Sequence, residues 1–142
     1  MNSYFTVAAA IEQRVREMMP ELDKVCRLFE ANHPSELKNL PKTAHINMLQ
    51  SSFGNHAGHG AKQTETQRWQ VSLCLKAPAT AAEEAVFVED AGVLCLKLRE
   101  ALQGWKPTPS ARGMVCTGYQ PLLTQDCRWR IFSFVFESVV LI

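Results

Sequence analysis

The sequence has almost no net charge, no long apolar run, and no cysteine spacing typical of a disulfide framework or a metal site. A formal net charge of +1 does not favour nucleic acid as a partner, because phosphate binding usually needs Lys and Arg clustered on one face. The longest purely apolar run near the start, Val7 to Ile11, is too short for a bilayer and has no basic residue before it. We therefore expect neither a signal peptide nor a membrane span.

The five cysteines are an odd number at wide spacings, which does not indicate a disulfide framework. Each lies within or beside an apolar pattern, where a thiol usually acts as a small packing group. Cys95, for example, falls on the apolar stripe of a predicted helix. The simplest interpretation is a set of reduced cytosolic thiols.

Signatures of catalysis are also absent from the sequence. There is no Gly-x-Ser-x-Gly elbow, and the glycines match neither a phosphate-binding loop nor a dinucleotide fingerprint. Glu89 and Asp90 are adjacent on a predicted helix and point in different directions, which argues against a catalytic pair of carboxylates. The sequence thus predicts a protein that is not an enzyme and that has no cofactor.

The length and composition are those of one globular domain, residues 1–142. Hydrophobic residues make up 46% and charged residues 20% of the chain, as in proteins with an apolar core. Apolar residues three or four apart predict a first helix from Ser3 to Met19, with Ser3 as its N-cap. Pro20 either ends that helix or begins a short second one, so the segment 3–31 is expected to be helical. The second helix would carry Leu22, Val25, Cys26 and Phe29.

Two segments of period two predict strands on either side of a polar loop. Thr43 to Phe53 alternates in polarity, and Arg68 to Lys76 places Trp69 and three aliphatic residues on one face. Between them, Gly54 to Thr66 contains three glycines and almost no apolar residue. We expect an antiparallel pair of strands with a protruding arm, the long loop 54–66.

A second long helix is predicted to begin at Thr80, in capping-box spacing with Glu83, and to stop at Gly104. Two further strands follow, and the last is apolar on both faces, as in a strand covered on both sides. The order favours an α+β fold: a single domain with a mostly antiparallel sheet of about four strands and helices packed on it. The predicted apolar stripe of the second long helix is Val88, Ala91, Cys95, Leu98 and Leu102. The predicted core residues are Val71, Leu73, Leu98, Leu102, Ile131 and Phe134.

The histidines of the loop raise the question of a metal site. His56 and His59 form His-x-x-His, but the glycines around them resist a helix that would place both imidazoles on one face. A zinc site needs three or four protein ligands. His45 and Cys74 could supplement the pair, although nothing in the spacing requires it. We predict polar, solvated histidines and no metal site.

Arg128 and Arg130 flank Trp129, a pattern that could stack on the bases of a nucleic acid. No wider basic cluster accompanies them in the sequence. The favoured interpretation is a strand whose arginines pair with carboxylates.

Three stretches of the sequence together resemble a known family: RWQVSLCLKA, LCLKLREALQGWKP and RWRIFSFVFES. Their order and length are similar to those of the small tail terminator (tail completion) proteins of long-tailed bacteriophages, in particular the Mu-like group. In that pattern a strand of the form polar-Trp-x-Val, here Arg68 to Val71, precedes a helix that ends Leu-x-Gly-Trp-x-Pro, here Leu102 to Pro107. The similarity covers about Phe53 to the C-terminus, and the insert NHAGHG departs from it.

The resemblance implies a structural protein without catalytic activity. Members of that family form a hexameric ring that caps the finished tail tube, stops its polymerisation and presents a surface for joining the DNA-filled head. The implied partners are other copies of the chain, the phage tail tube protein and head–tail connector proteins, with no membrane and with DNA only in passage through the ring lumen. The implied location is the head-proximal end of the virion tail, after assembly in the host cytoplasm.

A ring needs head-to-tail contacts that close, and a polar, glycine-rich arm is a reasonable device for reaching a neighbouring subunit or the tube. Two alternatives stay open: a head–tail connector or adaptor subunit that also forms a ring, and a small metal-dependent enzyme using His45 with the loop histidines. The arm residues expected to make assembly contacts are Asn55, His56, His59, Lys62, Gln63 and Thr64.

Overall fold

The computed structural model describes residues 5–27, 40–123 and 128–141, and it confirms an α+β fold. No helix in this part of the chain is long and apolar enough to cross a membrane. The elements in chain order are α1 (Thr6–Met18), β1 (Lys24–Arg27), β2 (Lys42–Ala57), β3 (Lys62–Lys76), α2 (Ala81–Leu102), β4 (Val115–Leu123) and β5 (Trp129–Leu141).

The strands form one sheet of five strands in the order β1-β2-β3-β5-β4. Strands β2, β3, β5 and β4 are joined by antiparallel pairs, and β1 pairs in parallel with β2. The mostly antiparallel sheet is confirmed, with one strand more than the four expected. The extra strand is β1.

The helical segment predicted over 3–31 is wrong at Lys24–Arg27, because these residues are strand β1. Val25 stands beside Ala44 of β2, and both side chains are buried. In so short a run, apolar spacing does not separate a helix from a strand, and here backbone pairing with β2 decides the outcome. Ser3 and Phe29, the expected N-cap and last apolar residue of this segment, lie outside the described residues.

Both helices contribute to a single core against one face of the sheet. Ile11 and Val15 of α1 and Leu98 of α2 are fully buried there. The sheet contributes Trp69 and Phe136, which face each other across β3 and β5. Among the residues predicted for the core, Val71, Leu73, Leu98 and Leu102 are fully buried, and Phe134 is 6% exposed.

Ile131 differs from the other predicted core residues, because it lies on the opposite face of the sheet. It stands beside Cys74 of β3, out of phase with Phe132 and Phe134, and it is only partly buried. Since side chains alternate along a strand, an apolar residue one position away belongs to the other face. That face is more polar: the hydroxyls of Ser72 and Ser133 share a hydrogen bond of 2.8 Å there.

The end of α2 explains the Leu-x-Gly-Trp-x-Pro stretch in physical terms. Gly104 has a φ of 75°, a conformation that glycine adopts without the strain a side chain would cause. Its N–H donates to the Met114 carbonyl at 2.7 Å, and the Met114 N–H donates to the Trp105 carbonyl at 2.9 Å. These bonds fold the segment after the helix back on itself, so that the chain enters β4.

Candidate assembly surface

The arm between β2 and β3 is a β-hairpin rather than a long loop. The two strands stay paired as far as Ala57 and Lys62, and the turn between them closes with a bond of 3.1 Å from the Ala61 N–H to the Gly58 carbonyl. The loop predicted over 54–66 is therefore confined to residues 58–61. Strand β5 pairs with β3 only as far as Leu141, which stands beside Thr64. Past that point the hairpin extends from the sheet, and none of the described residues forms a third strand beside β3.

The glycines of the arm shape the hairpin. Gly58, His59 and Gly60 have φ values of 61°, 56° and 87°, the left-handed region that favours glycine and that a histidine rarely adopts. A Cβ at Gly54 would lie 2.5 Å from Oγ1 of Thr64, so a larger residue there would force the Thr64 side chain to move. The glycine content that suggested a flexible loop instead permits a tight, paired structure.

The six residues predicted for assembly contacts all lie on this hairpin. Asn55, His56, His59 and Lys62 are exposed, whereas Gln63 and Thr64 are partly buried. Gln63 is used within the arm, because its amide Nε2 donates to the Gly54 carbonyl at 3.0 Å. The exposed residues are therefore the ones that are available to a partner.

The carboxylate of the arm points inward. Glu65 is fully buried, so the exposed ionisable groups of residues 54–66 are Lys62 and two histidines. Lys62 has no ion pair with any residue that the structure describes. The arm presents a weakly basic, hydrogen-bonding surface.

The structure does not bring His45 to the histidines of the arm. His45 stands opposite Ser72 and His56 opposite Gln63, which are nine residues apart on β3, or about 30 Å along a strand. His45 is held where it is by Oγ1 of Thr43, 2.9 Å from Nε2. Within the described residues, no group of three or more His, Cys, Asp or Glu side chains is placed to hold a metal ion.

Two thiols and the partly buried imidazole of His45 favour their neutral forms. Burial raises the pKa of Cys74 above its usual range and raises the pKa of Cys95 to about 11, because the thiolate would lose its hydration. Burial also lowers the pKa of His45, whose Nδ1 lies 3.4 Å from Sγ of the buried Cys26. The two thiols are thus poor nucleophiles at neutral pH. Cys127 lies outside the described residues.

A second surface, which sequence reasoning missed, lies between α2 and the edge strand β4. Val88, assigned above to the core stripe, is exposed, and so are Val93 and Leu96 of the same helix. Across from Val88 and Leu96, β4 exposes Tyr119 and Leu122. The groove between the two elements consists of two adjoining cavities: one of about 450 Å³, lined by Val88, Tyr119 and Leu122, and one of about 310 Å³, lined by Leu96 and Tyr119. Exposed apolar patches of this kind on a protein surface mark sites of interaction.

Ionic and aromatic contacts define one wall of this groove. Arg130 forms an ion pair of 2.7 Å with Glu84 of α2, and its guanidinium lies 5.5 Å from the centre of the Phe87 ring. The prediction that an arginine beside Trp129 pairs with a carboxylate is confirmed for Arg130. On the floor of the groove, the Tyr119 and Phe134 rings are 4.8 Å apart, so the groove opens directly onto the core.

Comparisons with known proteins connect this chain to a virion component. A family model described as phage tail terminator protein matches residues 1–142. A chain from the solved virion of a native gene transfer agent (GTA) particle has a similar fold, with a TM-score of 0.58 and 13% identity. That match covers 98% of this chain and 99% of the other. A search among curated protein sequences finds no match.

Proposed function

This chain belongs to the phage tail terminator protein family, and we propose that it caps the finished tail tube as a hexameric ring. In this role it ends polymerisation of the tube and presents the surface to which the DNA-filled head is joined. The observation that carries the proposal is the family match, which extends over residues 1–142. The partners are then other copies of the chain, the tail tube protein and the head–tail connector proteins, with DNA passing through the lumen of the ring.

The location follows from the same role. Membership of the family and the likeness to a gene transfer agent chain support a place in the virion tail. A protein that stops the tube and joins the head would act at the head-proximal end, after assembly in the host cytoplasm. A search for this protein at one end of intact tails, by a labelled antibody, tests this placement.

The shape of the chain is suited to assembly rather than to catalysis. A hairpin that extends beyond the last residue of β5 offers donors and acceptors at a distance from the core, and loops held by a rigid sheet commonly carry recognition. Burial raises the pKa of the Cys74 and Cys95 thiols, so neither is an activated nucleophile, and the separated histidines described above do not form a ligand set. We propose a protein that works through its surfaces, without a catalytic reaction.

Removal of the arm tests the proposal directly. Phe53 and Glu65 already face each other in register, so an Asn-Gly turn can replace residues 54–64 and join them as a two-residue hairpin. We expect the shortened chain to stay folded, because the core residues all lie outside the deleted segment. We also expect it to lose ring closure or tube capping, so that tails assembled with it are longer than normal or irregular in length.

Electron microscopy of purified tails, assembled with the wild-type chain, with the shortened chain and without either, measures this effect as a distribution of tube lengths. A second variant replaces both His56 and His59 by Ala within a full-length arm. Because it removes two of the four exposed contact residues, we expect a broadening of the length distribution that is smaller than that caused by the shortened chain. Tails of normal length in the absence of the protein would contradict a role in termination and would favour a connector subunit. Loss of a bound metal and unfolding of the double histidine variant would instead favour the metal-dependent enzyme.

A further inference from the structure

We propose that the groove between α2 and β4 receives the end of α1 from a second copy of this chain. Met18 enters the groove, and Glu17 forms an ion pair with Arg99 at its rim. The contact is repeated between neighbouring subunits of the ring, so this inference rests on the proposed function. It adds the residues on both sides of one interface between copies.

The groove combines apolar walls with a cation that no described residue neutralises. The smaller of its two cavities, about 310 Å³, is lined by Leu96, Arg99 and Tyr119. Arg99 is exposed, and it has no ion pair with any residue that the structure describes. Arg130, which lines the larger cavity, already pairs with Glu84. An occupant that matches this groove therefore carries an apolar side chain and a carboxylate.

The end of α1 has these two features side by side. Met18 is 46% exposed, and its flexible side chain adapts to irregular pockets. The adjacent Glu17 is also exposed. One of its carboxylate oxygens accepts a hydrogen bond from another side chain of α1, but it has no ion pair with any described residue. Phe5, Leu49 and Phe53 are exposed apolar residues too, but none of them has an acidic neighbour in the chain.

The groove and the end of α1 lie at opposite edges of the molecule. Helix α1 packs on β1 and β2, whereas the groove is bordered by β4. The sheet order places β1 and β4 four strand spacings apart, or about 19 Å. A copy therefore does not fill its groove with its own α1. Complementary surfaces at two different places on one chain produce head-to-tail contacts, which is the kind of contact that a closed ring requires.

The two surfaces also lie at the same height along α2. The guanidinium of Arg14 donates to the Ala101 carbonyl at 2.9 Å, and Lys97 forms an ion pair of 3.0 Å with Glu21. The end of α1 and Arg99 both lie between these two contacts. Subunits of a closed ring are related by rotation without a rise along its axis. With the ring axis along α2, the end of α1 therefore meets the groove of the neighbouring copy at the level of Arg99.

Exchange of the two charges tests the ion pair. Arg99→Glu places two carboxylates at the contact and is expected to reduce ring assembly about tenfold, and Glu17→Arg should do the same with two guanidinium groups. A chain with both changes has the attraction in reverse, so it should assemble to within about threefold of the wild type. The matched control combines Arg99→Glu with Glu89→Arg. Glu89 is exposed on the same helix and does not line the groove, so this chain should remain as impaired as Arg99→Glu alone.

A disulfide trap tests the position of Met18. The smaller cavity is also lined by Cys95 and Cys116, so Met18→Cys places a new thiol beside two thiols of the neighbouring copy. Oxidation of assembled rings with copper phenanthroline should then give covalent oligomers, and peptide mass spectrometry should identify a bond from position 18 to one of these two cysteines. Ala9→Cys is the matched control. Ala9 is exposed on the same helix about 13.5 Å from Met18, so this variant should stay without a cross-link to either cysteine.

Native mass spectrometry, on the chain alone and on chain released from tube ends, measures the oligomer, and thermal unfolding verifies that each variant is folded. Normal rings from Arg99→Glu, or a failure of Glu17→Arg to restore them, would overturn this contact while leaving the proposed function intact. Rings of Met18→Cys that give no bond to Cys95 or Cys116 would do the same. A wild-type chain that is monomeric both in solution and on the tube end would instead remove the ring itself.

Discussion

Replacement of Phe134 by alanine tests the core at the point where the sheet meets the groove. The side chain is 6% exposed, stands opposite Val71 of β3 and contacts two aromatic rings, with centroid distances of 4.8 Å to Tyr119 and 6.4 Å to Phe136. Truncation of a buried Phe to Ala typically costs about 3–5 kcal/mol of unfolding free energy, from lost burial and the cavity left behind. On the groove side, Tyr119 is exposed and can move into the space. We therefore expect a loss in the lower part of that range, about 3–4 kcal/mol.

Urea unfolding followed by circular dichroism measures the loss. A domain of this size typically has about 5–15 kcal/mol of stability, so the variant is expected to remain folded in water and to unfold at a lower urea concentration with an unchanged slope. Ile131→Ala is the matched control, because Ile131 is an apolar residue of the same strand that is partly exposed on the opposite face. Its loss should be smaller, about 1–2 kcal/mol. A loss below about 1 kcal/mol for Phe134→Ala, or a larger loss for the control, would show that the strand is assigned to the wrong face.

Three further predictions concern polar and titratable groups. Oγ of Ser138 is buried without a hydrogen-bond partner among the described residues, so Ser138→Ala should leave the urea midpoint unchanged or raise it. Ser133→Ala removes the hydrogen bond to Ser72 and should cost about 1 kcal/mol of unfolding free energy. A larger loss for Ser138→Ala than for Ser133→Ala would contradict the hydrogen bonding assigned to these two hydroxyls. All five cysteines should be reduced, so that alkylation under denaturing, non-reducing conditions labels each of them in the mass spectrum; a stoichiometric internal disulfide would refute this. Burial lowers the pKa of His45, so as the pH falls below about 6.5 the unfolded state takes up the proton first and stability decreases. The decrease should be smaller in His45→Gln, and equal decreases in the two proteins would exclude this residue as the cause.

The parts of the fold that the sequence predicted are those in which one periodicity persists. Arg68 to Lys76 alternates without interruption and is the second half of β3. Leu98 and Leu102, four residues apart on α2, are both buried. Where the pattern is short, it is ambiguous: the four residues of β1 have no periodicity of their own, and they become a strand because β2 offers an unpaired edge. Pairing between distant segments cannot be seen in a local pattern.

The arm shows a second reason why strands are missed when they are predicted from apolar alternation: the strands that form it bury polar residues. Glu65 and Gln67 are fully buried on β3, and the Gln67 carbonyl oxygen Oε1 accepts a hydrogen bond of 3.3 Å from Nε1 of Trp69. Because buried strand residues are usually apolar, a segment with buried polar residues has the sequence pattern of a loop. The turn chemistry was nevertheless visible, since Gly58 and Gly60 are the residues that supply positive φ angles. A hairpin becomes predictable only when those glycines are considered together with the alternation on both sides of them.

The groove shows where the apolar pattern carries functional information. On α2, Leu94 and Leu98 face the core while Val93 and Leu96 are exposed, so the helix is apolar on more than one side. A helix that is apolar around its circumference is normally buried, so the exposed apolar residues of α2 form a surface that a binding partner would cover. Because α2 has apolar residues on more than one side, the predicted core stripe wrongly included Val88, which is exposed. The same pattern identifies the surface that assembly should bury. One face of α2 thus packs in the core, and under the proposed function the exposed apolar face takes part in assembly.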